Sequence, residues 1–422
     1  VPPIVLNPEQ ELAVTALLDF IADPDPESPF FVLKGFAGTG KTFIMRTVIE
    51  RCSKSAQGRF AFTSPTNKAA KVLRSVTGSA CTIYSLLGLR IEKNGELKTL
   101  TTGEKPADLS ELDVIFLDEA SMVNRFLFKL LGEIAGESNL KIVFMGDAGQ
   151  LPPVGEAESP VWAEPNGAAL TKVMRHDNQI LTLVTAIREQ INSWTPSIVI
   201  ASDNADGHGV WKCTKDTFKK AIMAAAEKGA FGDGSKGKVI AWRNVRVAEY
   251  NDLIRYSIFG AAAKPGHYLV GDRVVATGPC KRNDDLLLST DDEALVEGVI
   301  ETVHPMESKY KAIELKCRTE TNTMIRLLVL HPDSQAMFDN DCQELAHAAK
   351  GNPKLWKKFW NLKELFHDIK YGYAITAHRS QGSTYETVFV DYMDILYNRN
   401  RKEAFQCLYV ACSRPTTKLI LA

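Results

Sequence analysis

The chain has no C-x-x-C pair, no close grouping of cysteine with histidine and no apolar run near the roughly 18 residues of a membrane span. Its eight cysteines scatter from Cys52 to Cys412, which excludes a zinc ribbon and a disulfide framework and reads as reduced thiols, mostly in cores. Neither sign of charge is in surplus: 50 Lys and Arg face 51 Asp and Glu, for a formal net charge of −1. That balance excludes coating of nucleic acid by bulk positive charge, so any such contact has to come from a local groove. There is no internal repeat, no low-complexity tract, and no basic leader followed by a long apolar stretch in Val1-Pro2-Pro3-Ile4-Val5, so a cytoplasmic location and no membrane partner are expected. What is present, 45% hydrophobic and 24% charged residues over 422 positions, suits a globular protein too long for one core, with two to four domains expected.

The most specific feature is Gly35-Phe36-Ala37-Gly38-Thr39-Gly40-Lys41-Thr42, a complete G-x-x-x-x-G-K-[ST] or Walker A loop. Gly35, Gly38 and Gly40 let the backbone bend until consecutive N–H groups converge on phosphate oxygens. Lys41 brings a point charge to the β- and γ-phosphates, Thr42 offers its hydroxyl to Mg²⁺, and the helix opening there turns its positive end to the anion. The apolar run Phe30 to Leu33 supplies the buried strand that must precede the loop.

Through residue 175 short apolar runs alternate with helical stretches, the rhythm of a parallel sheet covered by helices. The candidate strands are Phe30 to Leu33, Arg59 to Thr63, Asp113 to Leu117 and Lys141 to Met145. The polar stretch Leu89 to Leu109 breaks that rhythm, and Asn94-Gly95 between two strand-like runs predicts a projecting β-hairpin. The pattern restarts after residue 176, with strands at Lys238 to Trp242, Thr387 to Val390 and Lys418 to Leu421. Between them, runs at Arg273 to Thr277, Leu295 to Val303, Ala312 to Cys317 and Met324 to Leu330 predict a small β-barrel insertion. The aromatic and lysine-rich stretch near Trp356, Phe359, Trp360 and Lys363 has the spacing of an amphipathic helix packed on its neighbours.

Val114-Ile115-Phe116-Leu117-Asp118-Glu119 is a buried strand ending in two carboxylates, the Walker B form: Asp118 to hold Mg²⁺, Glu119 to orient and deprotonate the attacking water. The run Gly146 to Pro153 ends the next strand, where Gln150 can reach the γ-phosphate or the water and Leu151-Pro152-Pro153 can face a polymer track.

Together with Thr376-Ala377-His378-Arg379-Ser380-Gln381-Gly382 and Leu408-Tyr409-Val410-Ala411-Cys412-Ser413-Arg414, these runs resemble motifs I, II, III, V and VI of superfamily 1 helicases. The form of motif V, the hairpin and the β insertion resemble the RecD-like branch and its Dda-like phage enzymes, which implies an ATP-driven motor moving 5′ to 3′ on single-stranded DNA. The fold implied is α/β, with two RecA-like P-loop domains, the β-hairpin inserted in the first and a small SH3-like β-barrel plus helical tower inserted in the second. Its expected limits are 1–88 and 111–176 for the first domain, 89–110 for the hairpin pin, 177–263 and 367–422 for the second domain, and 264–366 for the second insertion. By the same resemblance Gln10 recognises adenine, Arg175 and Arg414 reach the γ-phosphate, and Gln381 senses the nucleotide. Pro65, Thr66 and Asn67 (motif Ia), Thr82 (motif Ib), Pro152, Asn244 (motif IV), and Thr376, His378 and Ser383 (motif V) contact DNA. Hydroxyls and amides at strand ends suit phosphate contacts, which carry no sequence information.

ATP and Mg²⁺ are thus the expected cofactors. Single-stranded DNA and a duplex fork are the expected partners, with single-strand-binding or replication proteins beside them, and the protein is expected to act as a monomer, in the host cytoplasm if phage-encoded. Alternatives are an RNA helicase or a non-unwinding translocase, a small-molecule P-loop kinase, and a DNA-binding scaffold whose ATPase has decayed. The chain departs from the family pattern in reading Thr82-Ile83-Tyr84 where motif Ib commonly has Thr-Ile-His, and Glu297-Gly298 where Asn-Gly is common.

Overall fold

The computed structural model describes residues 6–52, 59–94, 97–102, 109–172, 179–282 and 285–422, with the main chain alone over 90–102. The chain divides into two compact units. One holds Val1–Val210, Ser380–Ser383 and Leu396–Arg414, the other Trp211–Arg379, Thr384–Ile395 and Pro415–Ala422.

The strands of the first unit are β1 (Phe30–Gly35), β2 (Phe60–Ser64), β3 (Cys81–Thr82), β4 (Leu89–Asn94), β5 (Leu97–Thr102), β6 (Val114–Leu117), β7 (Lys141–Gly146) and β8 (Gly167–Leu170). Six of them form a parallel sheet in the order β3-β2-β6-β7-β1-β8. Helices cover both faces, so the strands are apolar without alternation. Phe31 and Leu33 of β1 join one core with Leu17, Met45 and Leu73, while Phe30 and Val32 join another with Ile83, Leu127 and Leu131. Strands β4 and β5 form a separate antiparallel ribbon, in register from Leu89↔Thr102 to Asn94↔Leu97. Asn94 therefore pairs in the ladder instead of standing in the turn, and the connecting residues 95 and 96 lie outside the described residues.

The hairpin of β9 (Asp203–Ala205) and β10 (His208–Lys212) carries the chain into the second unit. There follow β11 (Gly237–Ala241), β12 (Arg273–Ala276), β13 (Cys280–Arg282), β14 (Asp285–Leu288), β15 (Glu293–Val303), β16 (Lys311–Thr319), β17 (Met324–Leu330), β18 (Ile369–Tyr371), β19 (Ala374–Thr376), β20 (Tyr385–Val390) and β21 (Pro415–Leu421). Strands β19-β11-β20-β21 run parallel, the second sheet of RecA type. Where the small barrel was expected stands an antiparallel five-stranded sheet, β17-β16-β15-β12-β18, around Val274, Val296, Leu315 and Leu327. Its last strand, β18, is three residues long and escapes the sequence pattern.

Buried ion pairs fix the RecA-like core of this unit to its insertion. Arg255, on the helix Asn244–Phe259, donates to Asp272 at 2.8 and 3.0 Å with both side chains fully buried. Lys238 of β11 meets Glu293 of β15 at 2.9 Å, also out of water. The helices Gln335–Gly351 and Leu355–Lys363 share a small core in which Phe359, Leu362 and Phe366 pack against Phe338 and Tyr310. The aromatic stripe is thus helix packing, as its spacing predicts, and Lys357, Lys358 and Lys363 form the exposed face. Among the described residues no helix is long and apolar enough to cross a membrane.

Candidate functional site

Strand β1 delivers the chain to the phosphate loop. A Cβ at Gly35 would stand 2.6 Å from Thr39 Oγ1, so the loop closes only over a glycine. Gly38 and Gly40 have φ of 82° and 91°, in the left-handed region. Gly40 starts the helix Lys41–Arg51 without a side-chain cap, which leaves the first helical N–H groups for an anion. Lys41 Nζ folds over the loop, donating to Gly35 O at 2.6 Å and Phe36 O at 3.2 Å.

Gln10 reaches the same loop from the first helix. Its Nε2 donates to Thr39 O at 3.1 Å, and its Oε1 accepts from Asn7 N at 3.1 Å within a capping box. A Cβ on Gly40 would lie 2.7 Å from that Nε2.

In the sheet β7 lies between β6 and β1, so three neighbouring carboxyl ends line up. After β6 come Asp118 and Glu119, and after β7 comes Asp147. Glu119 takes a left-handed conformation, φ 56°, which a non-glycine residue adopts only under constraint. Burial, then the neighbouring Asp118 charge, pushes its carboxyl up to about 7 against the pull of Arg414 and Lys41. Burial also raises Asp118, with Lys41 opposing it. Asp147 is fully buried and works as a clamp: Oδ2 accepts from Ala37 N at 3.0 Å and from the Tyr409 hydroxyl at 2.5 Å, and Oδ1 accepts from Gly149 N at 2.9 Å. Burial and the Asp147 charge hold the Tyr409 hydroxyl protonated well beyond its ordinary range.

The helix Arg401–Cys412 and Ser380–Ser383 belong to this same compact unit. Arg414, 6% exposed, is aimed by Val410 O at 2.9 Å and Ser383 O at 3.1 Å, and it bears on Glu119 electrostatically. Gln381 Nε2 donates to Ser121 Oγ at 3.0 Å, next to the Walker B turn. A Cβ on Gly382 would come 3.7 Å from Glu119 Oε1.

Two family models match the chain: an AAA domain over residues 5–205 and a UvrD-like helicase C-terminal domain over residues 371–422. The ATP-dependent DNA helicase dda of Enterobacteria phage T4 is 25% identical over 90% of this chain and 92% of its own. The chain is thus similar to helicases over nearly its whole length. Two solved structures share the fold. One, of two coordinating Pif1 helicases at forked double-stranded DNA, superposes with TM-score 0.56 at 16% identity over 99% of this chain and 92% of that one. The other, Pif1 helicase from Candida albicans, gives 0.51 at 18% identity over 99% and 94%.

In this chain the expected nucleotide set Gln10, Gly35 to Thr42, Asp118, Glu119, Gln381 and Arg414 comes together in the first unit. Arg175 lies outside the described residues. Gln150 is 5% exposed and its Oε1 accepts no hydrogen bond among the described residues, while its carbonyl accepts from Gln406 Nε2 at 3.0 Å. The strand candidates form one group in each unit. In the first, Ser64 pairs with Thr82, which sets Pro65, Thr66 and Asn67 beside Thr82 at the carboxyl edge. Thr66 and Thr82 each cap a helix, accepting from Ala69 N and Ser85 N, and keep their O–H to donate. In the second, Ala241 pairs with Thr376, which brings Asn244, Thr376 and His378 to one edge. Ser383 is 2% exposed and its carbonyl accepts from Arg414.

Sequence reading missed Asp147, Tyr409, and Arg188, whose guanidinium stacks 3.6 Å over the Phe36 ring of the loop. An acid directly after an apolar strand beside the Walker strands was the available signal for Asp147. Tyr409 stood in the motif VI run without a role of its own, and Arg188 has no signal, because the partners of both are remote in sequence.

Proposed function

We propose that this chain is an ATP-driven DNA helicase that moves 5′ to 3′ along a single strand and separates the strands of a duplex fork, acting as a monomer. The observation that carries the reading is the gathering of the phosphate loop, two Walker carboxylates and Arg414 around the neighbouring strand ends of one sheet. Thr42 and Asp118 offer a hydroxyl and a carboxylate, hard oxygen donors that fit Mg²⁺. Bound there, the ion would neutralise charge on the phosphate oxygens. Lys41 binds the β- and γ-phosphates, and Gln10 orders the loop by holding Thr39 O and takes the adenine side.

Glu119, whose carboxyl holds a proton more tightly than an ordinary glutamate, is matched to taking one from the attacking water. Arg414 and Arg175 stabilise the charge on the transferring phosphate, and Gln381 reports on it next to Ser121. Gln150 contributes to the same linkage. Thr66 and Thr82 donate hydroxyls to strand phosphates on one sheet edge, with Pro65, Asn67 and Pro152 beside them, and on the other Asn244 donates its amide N–H, Thr376 its hydroxyl and His378 a ring N–H. The β4–β5 ribbon serves as the wedge. The proposed domain limits are those expected from the sequence, with single-strand-binding or replication proteins as further partners.

The test is steady-state ATP hydrolysis with long single-stranded DNA, an equal length of RNA, or neither. Strong stimulation by DNA is expected, followed by separation of duplexes with 5′ tails in preference to 3′ tails. Lys41→Ala is expected to abolish hydrolysis while retaining strand binding. Stimulation by RNA alone would make this an RNA helicase, and none by either polymer would remove the motor reading.

A further inference from the structure

Just past β7 in the first unit is a cavity of about 130 Å³ lined by Ala148, Gln150 and Pro152 among others. A single water needs roughly 10–15 Å³ on such a measure, so the space far exceeds a structural water's requirement. Two glutamines among its lining residues, Gln150 and Gln406, are each 5% exposed. Gln406 is held in place by its bond to Gln150 O. Gln150, which lines the cavity, has a buried Oε1 that accepts no hydrogen bond among the described residues. An amide oxygen with lone pairs to spare can accept from a donor that enters the cavity. Trp162 and Pro152 supply flat apolar walls, and the exposed Asn192 adds a third amide at the mouth. Glu158 and Lys402 stand at the rim with opposite charges, so nothing in the cavity selects an ion.

Three amides, an indole and a proline ring around a neutral slot are the chemistry of a planar heterocycle with hydrogen-bonding edges. We propose that this cavity takes one unstacked nucleobase of the single strand, with Gln150 Oε1 accepting from an exocyclic amino group and Trp162 against the ring face. The proposal rests on the DNA-motor reading above. The strand is favoured over free nucleotide as the source because Pro152 lines the cavity, whereas the adenine side of the phosphate loop is the one Gln10 occupies. A base held there during part of each cycle would give the motor a grip besides its phosphate contacts, and amides that both donate and accept would tolerate several bases.

The experiment measures binding of a single-stranded oligonucleotide one footprint long, carrying one abasic residue moved position by position. It is run with the wild type, with Ala148→Phe, which fills the cavity from an exposed lining position, and with Asn192→Ala, which trims its mouth. One position is expected where the missing base weakens wild-type binding about tenfold, the scale of a single base stacked on an aromatic side chain. That penalty should vanish in Ala148→Phe and shrink in Asn192→Ala. A wild type indifferent to the abasic residue at every position, yet still stimulated by DNA, would overturn the base pocket and leave the motor standing. An undiminished penalty in Ala148→Phe would overturn it too, as would a raised KM for ATP in that variant with the penalty intact, which would assign the cavity to the nucleotide. Loss of DNA stimulation in the wild type would instead strike the motor reading itself.

Discussion

At the scale of single residues the phosphate loop is held from two sides. Gln10 bonds the carbonyl of Thr39, and Asp147 bonds the amide of Ala37 while accepting the Tyr409 hydroxyl. Removing that hydroxyl in Tyr409→Phe leaves a buried carboxylate with one donor fewer, and hydrogen bonds to charged groups contribute about 1.5–3 kcal/mol. The variant should unfold at lower temperature and show a raised KM for ATP, read by thermal melting and steady-state kinetics. An unchanged KM would remove Tyr409 from the loop's support. Gly40 presents two obstacles to a side chain, its φ of 91° and the 2.7 Å approach to Gln10 Nε2. Gly40→Ala should therefore lose nucleotide binding. Adding Gln10→Ala relieves the clash but not the backbone strain, so the double variant should stay defective in a nucleotide titration.

At the scale of elements, most of what positions the site was legible in the sequence. The central strands of both parallel sheets, the ribbon and the longer insertion strands announce themselves through apolar runs bounded by turn residues, because a strand covered on both faces must be apolar throughout, whereas the short strands β3, β8, β13, β14 and β19 do not. Strand β18 was not legible: Ile369-Lys370-Tyr371 is too short to show a period, and its pairing with β12 is decided by tertiary contact. The site was legible where local geometry demands a residue type, as at Gly40 and Lys41. It was not where a partner lies 262 positions away, as for Tyr409 and Asp147. The helices begun by Thr66 and Thr82 allow a test that separates structure from function. Each hydroxyl accepts a backbone N–H at a helix start, a task Asp performs as well or better. Thr66→Asp combined with Thr82→Asp should leave the melting temperature unchanged or raise it, yet place like charge on the proposed path of the strand phosphates. Half-maximal stimulation of hydrolysis should then need at least about tenfold more DNA, a loss of about 1.4 kcal/mol per tenfold. Unchanged stimulation would move the strand off this edge.

At the scale of the whole molecule, a net charge of −1 constrains how a strand is held. A basic protein gains affinity by releasing counterions from each phosphate it neutralises, and single strands give a slope of about −0.7 in log K against log salt per such phosphate. Here the groups offered at the carboxyl edges of the two sheets are mostly neutral, Thr66, Asn67 and Thr82 in one unit and Asn244 and Thr376 in the other. A hydroxyl or amide that bonds a phosphate displaces water and releases no cation. The slope should therefore be shallow, no steeper than about −3, the equivalent of roughly four neutralised phosphates. Fluorescence anisotropy of a labelled single strand across a salt series measures it directly. A slope of about −5 or steeper would mean that a lysine and arginine groove dominates binding, and the neutral edges would lose their part in the grip. A shallow slope is also what movement requires, since a motor bound mainly by diffuse charge has little to release and regain with each nucleotide, whereas short hydrogen bonds at two sheet edges can be broken and remade one at a time.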